Sequence, residues 1–394
     1  VILWCVSCAT TTVISDQVLR EKAQKYAQQF ILIDAHVDVP YRLRERMEDI
    51  SQRTEDGNFD FPRAKQGGLN APFISIYVPA EYEKTGGAKL LADTLIDMVE
   101  KITADHPNQF AMAYSTNDVR SQFKSGKISF CLGMENGSPI ERDLENLRHF
   151  YRRGIRYITL AHSKDNHISD SSYDTSKTSR GLSPFGEEVV REMNRLGMMI
   201  DVSHITDEAF YTVMAVSKAP VIASHSSCRH FTPGWQRNMS DNMIRLLAAN
   251  GGVIMINFGS SFINDEYRKR DSAARSDAQM AMMEAGLSSN DPAGHAFMEH
   301  YATEHPIGFF SDVSEVAEHI DHVVKLVGID YVGLGSDFDG LGDSLPTGLK
   351  DVSQYPNLIY ELLKKGYSKK DIEKICGENL LRVWSKVEKF VDRK

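Results

Sequence analysis

His36 and Asp38 stand two residues apart where an apolar run ends, in the stretch LIDAHVDVP (32–40). Residues two apart on a strand share a side. An imidazole and a carboxylate therefore face one space, and Asp34 joins them if the extended backbone begins early enough. That pairing is a metal-ligand pattern, and it is also the pattern of a hydrogen-bonded pair in a core. Five further ionisable residues follow short apolar runs in the same way: Glu135 in GMENG, His162 in TLAHS, His204 in DVSH, His225 in ASHSS and Asp337 in GLGSDFDG. Each alone has a bland alternative as a helix cap, loop carboxylate or turn residue. Recurring at corresponding positions, they point to one shared centre. Three imidazoles and two carboxylates from such a set, with no thiolate, suit Zn2+ and tolerate Mn2+ or Co2+. Five ligands are too many for one four-coordinate ion that also keeps a water, and enough for two ions if one carboxylate bridges. Two ions about 3.5–4 Å apart can share a hydroxide and clamp a carbonyl oxygen. Their residual positive charge favours a substrate that carries a carboxylate.

The elements that must position these groups recur along the chain. Eight short apolar runs are Phe30–Ile33, Ala71–Tyr77, Ile128–Met134, Ile155–Leu160, Met198–Val202, Val221–Ser224, Val253–Asn257 and Tyr331–Gly335. Their continuous Ile, Val and aromatic content fits parallel strands buried on both faces. Amphipathic segments lie between them. GGAKLLADTLIDMVEKITADHP stops before Pro107, PFGEEVVREMNRLGM closes on Gly197, and DNMIRLLAANGG and SEVAEHIDHVVKLVGI behave alike. Strand and helix alternating eight times predict an α/β fold, a (β/α)8 TIM-type barrel, in which chemistry collects at the carboxyl ends of the strands. A doubly wound open sheet is the runner-up, disfavoured because no Gly-rich phosphate loop follows the first strand.

The polar stretch from Arg44 to Asn70 predicts a long loop. A long insertion, 264–311, follows the seventh strand and is expected over the barrel mouth. A lid or a homodimer contact are the roles open to it. Its His295, His300 and His305 are read as surface residues. A barrel with insertions reaches 394 residues as one unit, so 16–394 is taken as a single domain. A net charge of -9 argues against nucleic-acid binding. The five scattered cysteines are no disulfide framework. Residues 1–15 open with VILWCVSCATTTV, which reads as the remnant of an export signal, with Cys8 as a lipid-attachment site. That reading makes the protein exported, periplasmic or membrane-anchored; a ragged chain start is the alternative.

The motifs DAHVDVP, GMENG, YITLAHS, GMMIDVSH, PVIASHSS, RNMSD and VGLGSDFDG, in this order and spacing, resemble the membrane dipeptidase (renal dipeptidase) family. These are binuclear zinc hydrolases of the amidohydrolase superfamily, and the resemblance runs from about Phe30 to Trp384. It implies that His36 and Asp38 hold one Zn2+, His204 and His225 the other, and that Glu135 bridges. It implies that His162 polarises the scissile carbonyl and stabilises the oxyanion, that Arg237 binds the substrate carboxylate, and that Asp337 moves the proton from the bridging water to the leaving amine, with Asp339 as rival. Phe262 stands where the family has a substrate-contacting tyrosine and is counted with the substrate-binding residues. The loop carrying Arg237 is one residue longer than the family pattern. The implied reaction is hydrolysis of dipeptides, L,D-dipeptides included, by a metal-bridging hydroxide. Two rivals stand beside it: an amidohydrolase acting on N-acyl amino acids, cyclic amides or β-lactam-like bonds, and a metal-binding scaffold without catalysis.

Overall fold

The computed structural model describes residues 15–288 and 292–390. Cys5 and Cys8, and with them the expected leader and lipid anchor, lie outside the described residues. Nine parallel strands run in chain order: β1 (Leu32–Val37), β2 (Leu69–Tyr77), β3 (Phe110–Met112), β4 (Ile128–Glu135), β5 (Ile155–Thr159), β6 (Met199–Asp201), β7 (Ile222–Ala223), β8 (Val253–Ile256) and β9 (Val332–Leu334). Their order is β2-β1-β9-β8-β7-β6-β5-β4, and β2 pairs back onto β4, which closes an eight-stranded barrel. The expected TIM-type fold is therefore present, with all eight apolar runs in its wall. β3 is an addition: it pairs only with the start of β4, Phe110 opposite Ile128.

The wall separates two apolar layers. Alternate residues Ile31, Ile33, Ala35, Phe73, Cys131, Tyr157, Met199, Ile222, Val253 and Met255 pack in one cluster with Leu380, Leu381 and Trp384. The C-terminal helix Asn379–Lys389 thus closes this layer, with the Trp384 ring 5.2 Å from Phe73. Each fully buried Ile, Val, Leu, Phe or Met side chain among them contributes about 1.5–3 kcal/mol. The opposite parity, Leu32, Ile74, Leu132 and Ile158 among others, packs against the surrounding helices.

Those helices carry their own signals. Ser183 caps helix Pro184–Leu196 by accepting from the Gly186 amide, and Gly197 ends it at φ 76°, a conformation glycine adopts without steric cost. Asp312 and Glu315 form a capping box on helix Val313–Val327. The stretch Arg44–Asn70 is not one long loop. Helix Val39–Glu45 extends into it, and helix Phe61–Gly67 forms within it, capped by Asp60, whose carboxylate accepts from Arg63 N at 2.7 Å and pairs with the Arg63 guanidinium. Seven residues are too few to show a periodicity. The segment after β8 folds as helices Asp265–Glu284 and Pro292–Glu304, and its His300 and His305 are exposed, while the His295 side chain lies outside the described set. Cys131, Cys228 and Cys376 are buried and free. Among the described residues no helix is long and apolar enough to cross a membrane.

Candidate metal centre

Glu135 is the last residue of β4, on the same parity as Cys131 and Gly133, so its carboxylate enters the barrel mouth. Its Oε2 lies 3.4 Å from His36 Nε2, and its Oε1 lies 3.1 Å from His204 Nε2, 3.3 Å from His225 Nε2 and 3.6 Å from His162 Nε2. One oxygen therefore faces His36 and the other faces His162, His204 and His225. Asp38 Oδ2 lies 3.5 Å from His36 Nε2. His36, Asp38 and Asp337 bring donor atoms within 4.8 Å of one another, as do His36, Glu135 and His225, and again Glu135, His162 and His204. The structure thus gathers all seven strand-end residues.

Asp34 is not among them. It points away from the mouth, accepting from the Ser336 amide at 2.8 Å and from the Tyr355 hydroxyl. The pairing of β1 shifts register between Asp34 and Val37, so a bulge breaks the alternation before His36. Asp38 is no strand residue either; it sits at the N-cap of helix Val39–Glu45, and reaches the centre from there.

Two imidazoles are oriented from behind. The Tyr157 hydroxyl donates to Ala35 O at 2.9 Å and so accepts from His36 Nδ1 at 2.8 Å. The Ser224 hydroxyl donates to Asp201 Oδ2 at 2.6 Å and accepts from His225 Nδ1 at 2.7 Å. In both rings the proton is drawn to Nδ1, and the Nε2 lone pair is left for the mouth. Tyr157, Ser224 and Asp201 were missed in the sequence reading. Ser224 and Asp201 lie within the motifs ASHSS and GMMIDVSH, whereas Tyr157 reads as an ordinary strand aromatic. His204 and Asp337 both hold left-handed backbone, φ 68° and 66°. Such strain costs of order 1–3 kcal/mol per residue and concentrates at functional sites.

Burial, with Arg237 and neighbouring imidazoles, holds His204 and His225 neutral, well below the ordinary histidine range. Burial also lowers His162. Against opposing burial, the Tyr157 hydroxyl, Asp38 and Glu135 raise His36 well above it. Burial first and the Asp38 charge second push Asp337 up to about 7. Asn257, also missed, donates to Asp337 Oδ2 at 2.8 Å. Asp339, the rival aspartate, turns away to pair with Arg42 at 3.3 Å.

Arg237 is buried, with Nη1 donating to Ser226 Oγ at 2.9 Å and Nη2 to His225 O at 2.8 Å; Nη2 also lies 3.0 Å from His204 Nε2. Its guanidinium stands 4.9 Å over the Phe262 ring, which packs 5.2 Å from Trp235, which in turn lies under Arg268 of helix Asp265–Glu284 at 5.7 Å. The segment after β8 is thereby tied to the wall behind Arg237.

These residues fit divalent cations. His36 Nε2 and Asp38 Oδ1 are buried and have no hydrogen-bond partner among the described residues. A buried polar atom costs free energy unless paired, and here two such atoms converge with imidazole nitrogens and carboxylate oxygens only.

Residues 20–394 match the model of the membrane dipeptidase family, peptidase family M19. An uncharacterized dipeptidase of Schizosaccharomyces pombe is 33% identical over 93% of this chain and 83% of its own. The dipeptidase tcpJ of Claviceps purpurea is 34% identical over 90% of this chain and 76% of its own. The crystal structure of the probable dipeptidase PvdM from Pseudomonas aeruginosa superposes with a TM-score of 0.80 at 28% identity, covering 95% of this chain and 99% of that one. The chain belongs to the membrane dipeptidase family, peptidase family M19, and is a metallo-dipeptidase, a hydrolase of peptide bonds.

Proposed function

We propose that the chain holds two Zn2+ ions and hydrolyses free dipeptides, L,D-dipeptides included. His36 and Asp38 would hold one ion and His204 and His225 the other, with Glu135 between them. The observation that carries this reading is the Glu135 carboxylate, whose two oxygens face different imidazole groups at 3.1–3.6 Å. When bound, the ions supply a water acidified toward neutrality and Lewis-acid polarisation of the scissile carbonyl.

The chain's own residues do the rest. His162, neutral through burial, offers an N–H to the carbonyl oxygen as charge develops on it. Asp337 has one oxygen fixed by Asn257 and the other beside Gly340, where a Cβ would lie 2.8 Å from it. A carboxyl that titrates near neutral pH takes a proton from the attacking water and returns it to the leaving amine, general acid–base work of roughly 10²–10⁴-fold. Arg237 is the cation for the substrate's terminal carboxylate, held in place by Ser226 and the His225 carbonyl. Phe262 carries no hydroxyl, so it supports Arg237 through its ring face.

Metal analysis of purified protein, run beside a panel of L,L and L,D dipeptides, N-acyl amino acids and cyclic amides, tests the proposal. Two zinc equivalents in the barrel centre with dipeptide turnover is the expected outcome. Zinc-loaded protein that turns over no dipeptide while cleaving an N-acyl amino acid or cyclic amide would replace this reading with the amidohydrolase alternative.

A further inference from the structure

Outside the barrel mouth, three elements bring a second set of metal-ligating side chains together. His230 lies in the 3-10 turn Arg229–Phe231, Asp241 in the first turn of helix Asp241–Ala249, and His322 on helix Val313–Val327. Their donor atoms lie within 4.8 Å of one another. His322 Nε2 is 2.8 Å from Asp241 Oδ1, and the His230 and His322 rings stack with centroids 4.4 Å apart and planes 20° apart. His230 is exposed, and its ring has no hydrogen-bond partner among the described residues. The face is open to solvent: the His322 and Asp241 side chains are 19% and 36% exposed.

We infer that His230, Asp241 and His322 form a separate, solvent-facing site for a divalent transition-metal ion, with Zn2+ the best match. Two imidazoles and one carboxylate are a zinc donor set, and water completes the tetrahedron. The His322–Asp241 pair is nearly spaced for it. Bonds of about 2.0 Å at a tetrahedral angle separate two donors by about 3.3 Å, so a small opening of that contact admits the ion. The stacked rings cannot both aim in-plane at one ion as they stand. His230, exposed and unpaired, supplies the missing direction by rotating about its side-chain bonds, whereas His322 is already fixed by Asp241.

The consequence is mechanical. Residues 225–240 connect β7 to helix Asp241–Ala249 and carry both His225 and Arg237. An ion on His230 would fasten the middle of that connection to two helices. The connection is already pinned nearby, by Arg229 on Asp207 at 2.6 Å and by the Cys228 amide on His319 Nδ1 at 3.1 Å. The ion would therefore lock an ordered segment, and an ion bound only by the folded form raises stability by mass action.

Full-length protein, dialysed against Zn2+ until the barrel centre is saturated, is compared with His230→Ala and His322→Gln. Wild type is expected to carry one more zinc equivalent per chain than either variant, and added Zn2+ is expected to raise its melting temperature by an increment that both variants lack. Because the difference between wild type and variant is read, the number of ions in the barrel centre does not enter. Asp241→Asn keeps an acceptor for His322 and covers the case in which His322→Gln fails to fold; it is expected to bind the extra zinc more weakly than wild type. Equal zinc content in wild type and in folded His230→Ala overturns the inference, whatever the dipeptidase activity.

Discussion

Two aspartates two residues apart in GLGSDFDG meet different fates. Asp337 faces the centre, and Asp339 is spent on Arg42. Burial and Asp38 push Asp337 up to about 7, which is the property a proton shuttle requires at neutral pH. Asp337→Asn is expected to retain the metal content of wild type while kcat falls by roughly 10²–10⁴-fold; metal analysis and steady-state kinetics on the same sample check it, and unchanged kcat removes Asp337 from the chemistry. Tyr157 acts one step further back. Its hydroxyl is the acceptor that keeps the His36 proton on Nδ1. Tyr157→Phe keeps the ring and removes that acceptor, so metal affinity should drop by about 10–100-fold with the far-ultraviolet spectrum intact. Competition with a chelator measures the loss. Affinity equal to wild type would mean that the ring's packing alone positions His36.

At the scale of elements, the barrel was legible because its strands are short, continuous and apolar, and because helix signals such as Pro184 and Gly197 punctuate the intervals. β3 was not, since only Phe110 of its residues Phe110–Met112 is buried. Helix Phe61–Gly67 was hidden by its length, seven residues. The strand-end ionisable residues were legible as a set, yet the alternation of side chains breaks locally in β1. Asp34 has the strand parity that should have placed it with His36, and the β1 bulge sends it to Tyr355 instead. Bulges and caps depend on neighbours in space, which periodicity does not record. Tyr157 and Asn257 were illegible because their partners lie 121 and 80 residues away. Gly133 joins packing to chemistry on one strand. A Cβ there would lie 2.0 Å from Cζ of Tyr157, a ring held in the barrel interior against Phe73. Gly133→Ala should therefore cost about 1–3 kcal/mol through overpacking and also weaken metal uptake by displacing the hydroxyl that holds His36. Denaturant unfolding reads the first effect and chelator competition the second; wild-type values in both would show that the barrel interior has slack at this level.

Across the whole molecule, donors spread from His36 to Asp337 meet only when the barrel closes, so the centre exists only in the folded chain and ion binding is coupled to folding. Protonation decides how strongly. Without metal, His36 is held charged by Tyr157, Asp38 and Glu135, and Asp337 keeps its proton up to about pH 7. His36 must release its proton to serve a cation, and a cation in the centre draws the proton from the neighbouring Asp337. His204 and His225 are already neutral through burial and release none. The sign follows from linkage. The raised Asp337 costs the metal-free protein stability as pH climbs from the unfolded carboxylate value of about 3.9 through about 7, because over that window the unfolded chain ionises this carboxyl while burial keeps it protonated in the folded form. Binding that expels protons strengthens with pH, by about 1.4 kcal/mol per pH unit for each proton released. The melting temperature of zinc-loaded protein minus that of chelator-stripped protein should therefore be larger at pH 8 than at pH 6. Calorimetric melts of both forms at the two pH values measure it. A gap that stays constant or narrows toward pH 8 would mean that the centre is already deprotonated before the ions arrive, and that the charges drawn here around His36 and Asp337 are wrong.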